Sequence, residues 1–195
     1  MAAADSQRAP GGPGAGSRGL SLAEWLLLCL VREQPTYGQA LAGLLDRSGS
    51  LGQIWSVPRG VVYRDLQRLE LFGLIRTTGE QQTRQGPARW VLEATPAGQA
   101  AARAWLRTPV EHARDVRSEL MVKLALLDRA GSDSQALAEA QLARLRPLAA
   151  TLGDQMRAAS GFERTLLLWR HKSLTATMRF LEGLTAGHGP PPSPG

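Results

Sequence analysis

The fold is decided by residues 56–75, SVPRGVVYRDLQRLELFGLI. Pro58 suits the first turn of a helix, where its missing N–H would have no intrahelical partner. Apolar residues then recur every three or four positions, and Gly73 is a typical helix terminator. The stretch predicts a helix with one apolar face that ends before a new element begins at Leu74.

The two faces of this helix differ in chemistry. The inner face carries Val62, Leu66 and Leu69, and the outer face carries Gly60, Arg64 and Gln67, with Arg59 and Tyr63 at its border. Arginine and glutamine hydrogen-bond the edges of guanine and adenine, a further arginine and a tyrosine hydroxyl suit phosphates, and glycine lets a partner come close. One exposed arginine is ordinarily a solvated side chain. This set on one face predicts contact with DNA.

Two helices are expected before this one. Ser21 is a good N-cap for a helix that ends before Pro35. A second, shorter helix follows Thr36-Tyr37-Gly38, and residues 48–52, which are rich in serine and glycine, break it.

A hairpin and a fourth helix are expected after it. Residues 74–78 and 88–92 have the composition of short strands, and the polar segment from Gly79 to Pro87 predicts a long exposed loop between them. Thr95 is the expected cap of a helix over about Pro96 to Leu106. Three helices, a hairpin and a helix form the order of a winged helix-turn-helix.

The charge of the chain is concentrated on the same elements. The 195 residues include 23 Lys and Arg against 17 Asp and Glu, for a formal net charge of +6. The excess of positive charge in residues 20–109 falls within residues 59–89, which include Arg84 and Arg89 on the predicted hairpin. Because these are the elements that a winged helix presents to DNA, both arginines join the predicted DNA-binding set.

Residues beyond 110 are predicted to be entirely helical. The last helix, over residues 162–184, carries an apolar stripe that needs a surface to bury against. A second copy of the chain would supply that surface, and packing within one chain would supply it equally well. We assign to dimerisation Leu166, Trp169, Leu174, Met178 and Leu181.

Composition divides the chain into four segments. Residues 1–19 and 186–195 are rich in proline and glycine and are predicted to be disordered tails. Between them, residues 20–109 are predicted to form the winged helix-turn-helix DNA-binding domain, and residues 110–185 a helical dimerisation domain. The predicted fold class is mainly α.

Several function classes lack support in the sequence. The one cysteine, Cys29, excludes an internal disulfide, and His112, His171 and His188 are scattered without metal-ligand spacing. No nucleophile elbow or phosphate-binding glycine loop occurs, so no enzymatic activity, cofactor or metal is predicted. The longest apolar run, Trp25 to Val31, is too short for a membrane span, and we expect a cytoplasmic protein without a membrane partner.

The sequence resembles the PadR-like family of transcriptional regulators, in its longer subfamily with several C-terminal helices. The resemblance rests on blocks that occur in family order: Tyr37-Gly38, the run from Gly60 to Glu70, Gly73-Leu74-Ile75, Thr95-Pro96-Ala97-Gly98, Trp105-Leu106, and Arg117 to Leu124. The Gly-x-x-Tyr-x-x-Leu-x-x-Leu-Glu run followed by Gly-Leu-Ile is the most specific. Leu92 departs from the family pattern, which often has an aromatic residue there.

The resemblance implies a winged-helix domain that binds DNA, C-terminal helices that dimerise, and repression that a small molecule relieves. It places DNA contacts at Tyr37, Arg59, Gly60, Tyr63 and Arg64 and on the wing.

Two functions from different classes remain open. The first is a homodimeric, sequence-specific repressor of a partly palindromic operator in double-stranded DNA, released by a small hydrophobic effector. The second is a winged-helix module that binds an acidic protein partner without specific DNA binding. Candidates to line an effector pocket are Trp25, Trp55, Trp105 and Trp169, although tryptophans more often serve as core and interface anchors.

Overall fold

The computed structural model describes residues 19–83 and 86–186, so the predicted tails lie almost wholly outside the described residues. The elements follow in the order α1 (Leu22–Glu33), α2 (Gly38–Leu45), α3 (Arg59–Leu71), β1 (Ile75–Thr83), β2 (Gly86–Ala94), α4 (Pro96–Arg107), a short 3-10 helix (Ala113–Arg117), α5 (Glu119–Arg129), α6 (Gln135–Ala158) and α7 (Gly161–Thr185). The mainly α class is confirmed, with one small sheet and a set of C-terminal helices.

Helix α1 is the centre of the N-terminal core. It begins with a capping box, in which the Ser21 hydroxyl accepts from the Glu24 N–H and the Glu24 carboxylate accepts from the Ser21 N–H. Every residue from Trp25 to Val31 is buried, because α3, α4, β2 and α5 all pack against this helix. The apolar run in the sequence is therefore a core helix surrounded on all sides.

The hairpin is longer than the sequence predicts. Strands β1 and β2 are antiparallel, and their pairing runs from Ile75 opposite Ala94 to Thr83 opposite Gly86, with irregularities after Thr77 and Gln81. The predicted long loop from Gly79 to Pro87 is thus wrong. Backbone pairing between strands does not depend on the polarity of the side chains, so a polar segment also forms strands. Alternation of apolar and polar residues marks only the strands that have one buried face.

A tight contact joins the base of the hairpin to α4. The Thr95 hydroxyl accepts from the Gly98 N–H at 3.1 Å and lies 2.7 Å from the Gly73 carbonyl oxygen, to which it donates. A Cβ at position 98 would lie 1.9 Å from the Leu74 carbonyl oxygen. The Thr-x-x-Gly block therefore caps α4 and lets its first turn lie directly on the backbone before β1.

The C-terminal helices form a second apolar cluster. It contains Leu142 and Leu145 of α6 and Leu174 and Leu181 of α7, which pack as a helical hairpin. Helix α5 serves both clusters, because its Val122 and Leu126 belong to the first cluster while Leu120 and Leu124 belong to the second. Helix α5 therefore connects the two apolar clusters, because its opposite sides belong to different clusters.

Candidate nucleic-acid interface

Helix α3 separates its two faces as its sequence predicts. Val62, Leu66 and Leu69 are buried against α1 and α2. The side chains on the other face are exposed, namely Arg59, Tyr63, Arg64 and Gln67, together with Gly60. Gly73, at φ 67°, ends the helix in the left-handed conformation that favours glycine. The exposed face is thus rigidly attached to the core through its buried side.

A cleft of about 400 Å³ runs between α3, the start of α2 and the hairpin. Four of the sequence-predicted residues lie together on its wall, namely Tyr37, Arg59, Tyr63 and Gln67. Trp90 on β2 also lines it and is 61% exposed, although it is not among the predicted DNA-binding residues. An exposed tryptophan on a strand beside basic residues is the signal that would have found it.

The Tyr37-Gly38 block has a steric role at this cleft. Tyr37 is the N-cap of α2 and is half-buried. A Cβ at position 38 would lie 2.7 Å from the ring of Tyr63, so only glycine lets that ring pack against α2. The guanidinium of Arg59 in turn lies 5.8 Å from the centroid of the same ring. Glycine, tyrosine and arginine thus form one stack beside the cleft.

Two arginines of α3 pair with buried acids. Arg64 contacts Asp65 through its Nε and Nη2 atoms, and Arg68 Nε lies 3.1 Å from Glu24 Oε1. Among the described residues, Asp65 Oδ2 and Glu24 Oε1 have no hydrogen-bond partner, so the Arg68 contact is an ion pair without hydrogen-bond alignment. Neither acid was predicted from the sequence. An acid at a position that the helical period assigns to the core is the signal for them.

The wing arginines are described only in part. Arg84 lies outside the described residues, and Arg89 belongs to β2 with its backbone opposite Gln81. Arg76 on β1 forms an ion pair with Glu93 on the facing strand at 3.3 Å. Arg76 is therefore engaged within the hairpin, as expected for a cross-strand pair of opposite charges.

The four tryptophans proposed for an effector site lie in different places. Trp25 of α1 and Trp105 of α4 are buried and stacked, with ring centroids 5.3 Å apart and planes 4° from parallel. Trp55 lies in the turn before α3, and Trp169 on α7 is 67% exposed. Trp25 and Trp105 therefore act as core anchors that join α1 to α4.

A buried lysine extends this stack toward α5. Lys123 Nζ lies 4.6 Å from the centroid of the Trp105 ring, donates to the Thr108 carbonyl at 2.8 Å, and pairs with Glu119 at 2.6 Å. Burial lowers the pKa of Lys123, although Glu119 partly offsets this effect. The ammonium thus links α5 to the end of α4 through charge and hydrogen bonding.

A second cleft, of about 640 Å³, lies between α4 and the turn from α5 to α6. Leu106, Leu127 and Leu137 line it as apolar residues. Its basic residues are Arg32, Arg103 and Arg107, which outnumber the acid Asp133. The combination suits a small molecule with an apolar body and an acidic group.

The structure divides the stripe assigned to dimerisation. Leu174 and Leu181 are buried against α6 and Met178 is half-buried, so these three hold α7 within its own chain. Leu166 and Trp169 are exposed on the N-terminal half of α7, beside Phe162, which is 80% exposed. Phe162, Leu166 and Trp169 thus form an exposed apolar surface at the start of α7.

Within residues 19–83 and 86–186, the structure gives no support for other types of site. No group of three or more His, Cys, Asp or Glu side chains in this part of the chain could hold a metal ion. Within the same residues, no helix combines the length and apolar character needed to span a bilayer. Cys29 is buried, and burial raises the pKa of its thiol to about 12.

The helix pair α2 and α3, the hairpin and α4 define a winged helix-turn-helix protein. Residues 27–104 match the model of the transcriptional regulator PadR-like family. This match confirms the resemblance to the PadR-like family over residues 27–104.

Solved structures of the same type are distant in sequence. Bacillus subtilis PadR in complex with operator DNA shares 18% identity at a TM-score of 0.44 and covers 85% of this chain and 98% of its own. PadR with p-coumaric acid shares 18% identity at a TM-score of 0.38, covering 85% and 94%. The PadR-like regulator BC1756 from Bacillus cereus shares 19% at 0.37, covering 84% and 98%. No curated protein matches the chain.

Proposed function

We propose that this protein is a sequence-specific transcriptional regulator that inserts α3 into the major groove of double-stranded DNA. The observation that carries the proposal is the division of α3, whose inner side chains are buried while Arg59, Tyr63, Arg64 and Gln67 are exposed together. A recognition helix needs this arrangement, because packing of its buried side against the core fixes the orientation in which its exposed side enters the groove.

Each exposed residue has a proposed role. Arg64 and Gln67 contact base edges, and Arg59 and Tyr63 contact phosphates that set the register. A Cβ at position 60 would meet no heavy atom within 4 Å, so Gly60 leaves room for the groove wall. Tyr37 borders the cleft beside α3. Arg84 and Arg89 of the wing are proposed to contact the neighbouring phosphates.

We propose a homodimer built on α7. Phe162, Leu166 and Trp169 form an exposed apolar surface at the start of that helix, and a second copy would bury it. A two-fold axis would then present two α3 helices to a partly palindromic operator, with half-sites about 10 bp apart or a multiple of this spacing.

We further propose that the dimer represses transcription and that a small, largely hydrophobic effector releases it. The cleft between α4 and the turn after α5 supports this, because a ligand there would touch both the winged helix and the C-terminal helices. Its three arginines outnumber its acid, Asp133, and therefore favour a ligand with an acidic group over a cationic one. p-Coumaric acid is a suitable first probe, with intrinsic tryptophan fluorescence and operator affinity followed in one titration.

The test of DNA binding is selection of duplexes from a random pool, followed by affinity measurements over a range of salt. We expect enrichment of a two-fold related sequence and a salt slope of about −0.9 per phosphate contact. Arg64→Ala should weaken specific binding more than non-specific binding. Arg146→Ala on α6, an equal change of charge at another exposed arginine, is the matched control and should leave both unchanged.

The alternative is a winged-helix module whose basic face binds an acidic protein. Such a module would bind DNA weakly and without sequence preference at physiological salt. Failure of the random pool to yield any enriched sequence would favour this alternative.

A further inference from the structure

Asp65 is an acid in a position where the helical period calls for an apolar side chain. It lies among the buried residues of α3, three positions after Val62 and four before Leu69, and its side chain is 1% exposed. Its neighbour Arg64 is 62% exposed. A buried carboxylate is costly unless it is paired, so its contact with an exposed arginine on the outer face calls for an explanation.

The contact leaves a defined part of Arg64 free. Arg64 Nε donates to Asp65 Oδ1 at 2.9 Å, and Arg64 Nη2 lies 2.8 Å from the same oxygen. A guanidinium has five N–H donors, of which the Nε–H donates to Asp65, while Nη2 forms an ion pair with it on the same side. The end of the fork, formed by Nη1 and the remaining hydrogen of Nη2, stays available. That end is one of the two edges that can bind O6 and N7 of guanine as a pair.

The Asp65 carboxylate that holds Arg64 is buried in the core. Asp65 Oδ2 lacks a hydrogen-bond partner among the described residues, so Arg64 is the polar contact that fixes the carboxylate. The carboxylate is itself immobilised by burial in the core. Arg59 differs, because within the described part of the chain its recorded contact is with the Tyr63 ring. Arg64 is thus held by an ion pair with an acid, whereas Arg59 contacts an aromatic ring.

We propose that Asp65 is a positioning residue that orients the Arg64 guanidinium and thereby determines guanine specificity at one base pair of each half-site. This inference rests on the proposed function. An arginine oriented in advance loses less freedom on binding, and a fork held in one direction meets O6 and N7 of a guanine at one position of the groove. A free arginine at the same position would contact phosphates and bases with little discrimination.

The experiment uses the full chain, the sequence selected from the random pool, and duplexes with each base pair replaced in turn. Arg64→Lys, which keeps the charge and removes the fork, identifies the base pair that Arg64 reads. Loss of a bidentate arginine–guanine contact costs about 5- to 150-fold in affinity. We expect Asp65→Asn to reduce discrimination at this pair to about threefold or less, with non-specific affinity unchanged. In the Arg64→Lys background, Asp65→Asn should remove no further discrimination.

Glu24→Gln is the matched control. Among the described residues, Glu24 is the other buried acid with an oxygen that lacks a hydrogen-bond partner, and it faces Arg68 instead of Arg64. It should affect thermal stability as Asp65→Asn does and leave discrimination at every base pair intact.

Three results would overturn the proposal. One is that Asp65→Asn keeps full discrimination at the base pair where Arg64→Lys reduces it. Another is an equal loss at all base pairs, which would indicate a role in stability alone. Because Asp65→Asn could unfold, the third uses the unaltered chain: the Arg64 Nε–H should exchange with water more slowly than that of Arg59, and equal rates would refute an anchored guanidinium. Absence of any selected sequence would instead refute the proposed function itself.

Discussion

Gly60→Ala should raise the stability of the protein and weaken its binding to DNA. Gly60 lies in the first turn of α3, and a Cβ built there meets no heavy atom within 4 Å. Alanine is the better helix former, and a glycine-to-alanine change at a compatible position stabilises by about 0.4–1 kcal/mol. For a chain of this length that gain corresponds to a rise in Tm of roughly 1–4 °C.

The same methyl group should be unfavourable in the complex. If the first turn of α3 lies against the DNA, the added carbon must displace either the helix or the groove wall. Overpacking of a tight contact costs about 1–3 kcal/mol, which is about a 5- to 150-fold loss of affinity. Opposite signs of the two effects separate a binding defect from a folding defect, because a destabilised variant would lose both properties.

Thermal unfolding followed by circular dichroism and titration of the selected duplex by fluorescence anisotropy would measure the two effects. Gly183→Ala on α7 is the matched control, because a Cβ there also meets nothing within 4 Å. It should not lower DNA affinity. Unchanged affinity in Gly60→Ala would show that the first turn of α3 does not face the groove, and the proposed docking of this helix would be wrong.

Three further outcomes are expected. Gly98→Ala should destabilise by about 1–3 kcal/mol in urea unfolding, since its Cβ would lie 1.9 Å from the Leu74 carbonyl oxygen; a neutral result would mean that α4 shifts freely. Burial raises the pKa of Cys29 from 9.0 to about 12, so the folded chain keeps a proton that the unfolded chain loses. The free energy of unfolding should therefore fall by about 1.4 kcal/mol as the pH rises from about 8 to about 10, and Cys29→Ala should lack this fall. Trp169→Glu should shift sedimentation toward a monomer without loss of helicity; an unchanged dimer would place the interface elsewhere.

Much of the winged helix is determined by local sequence. The caps at Ser21 and Thr95, the stop at Gly73 and the period of α3 all act within a few residues, and the structure has each of them. Local rules succeed here because a cap or a left-handed glycine is satisfied by its immediate neighbours. The exposed set on α3 was predictable for the same reason, since the faces of a helix follow from spacing alone.

The hairpin and the last helix were decided by tertiary structure. Pairing of Gln81 with Arg89 extends the wing where the sequence predicts a loop, because backbone groups on two distant segments satisfy each other. The α7 stripe divides between Leu181, buried against α6, and the exposed Trp169. Helical spacing predicts that such residues share one face of α7. It does not predict how much of that face the neighbouring helix covers.

The sequence by itself determined that α3 has one face for the core and one for a partner. Only the tertiary structure decided how Arg64 is held. The pairing with Asp65 depends on an acid buried among residues of other helices, and burial is a property of the assembled core. Spacing along one helix assigns a side chain to a face, whereas the direction in which its charged group points is set by the groups that surround it in three dimensions.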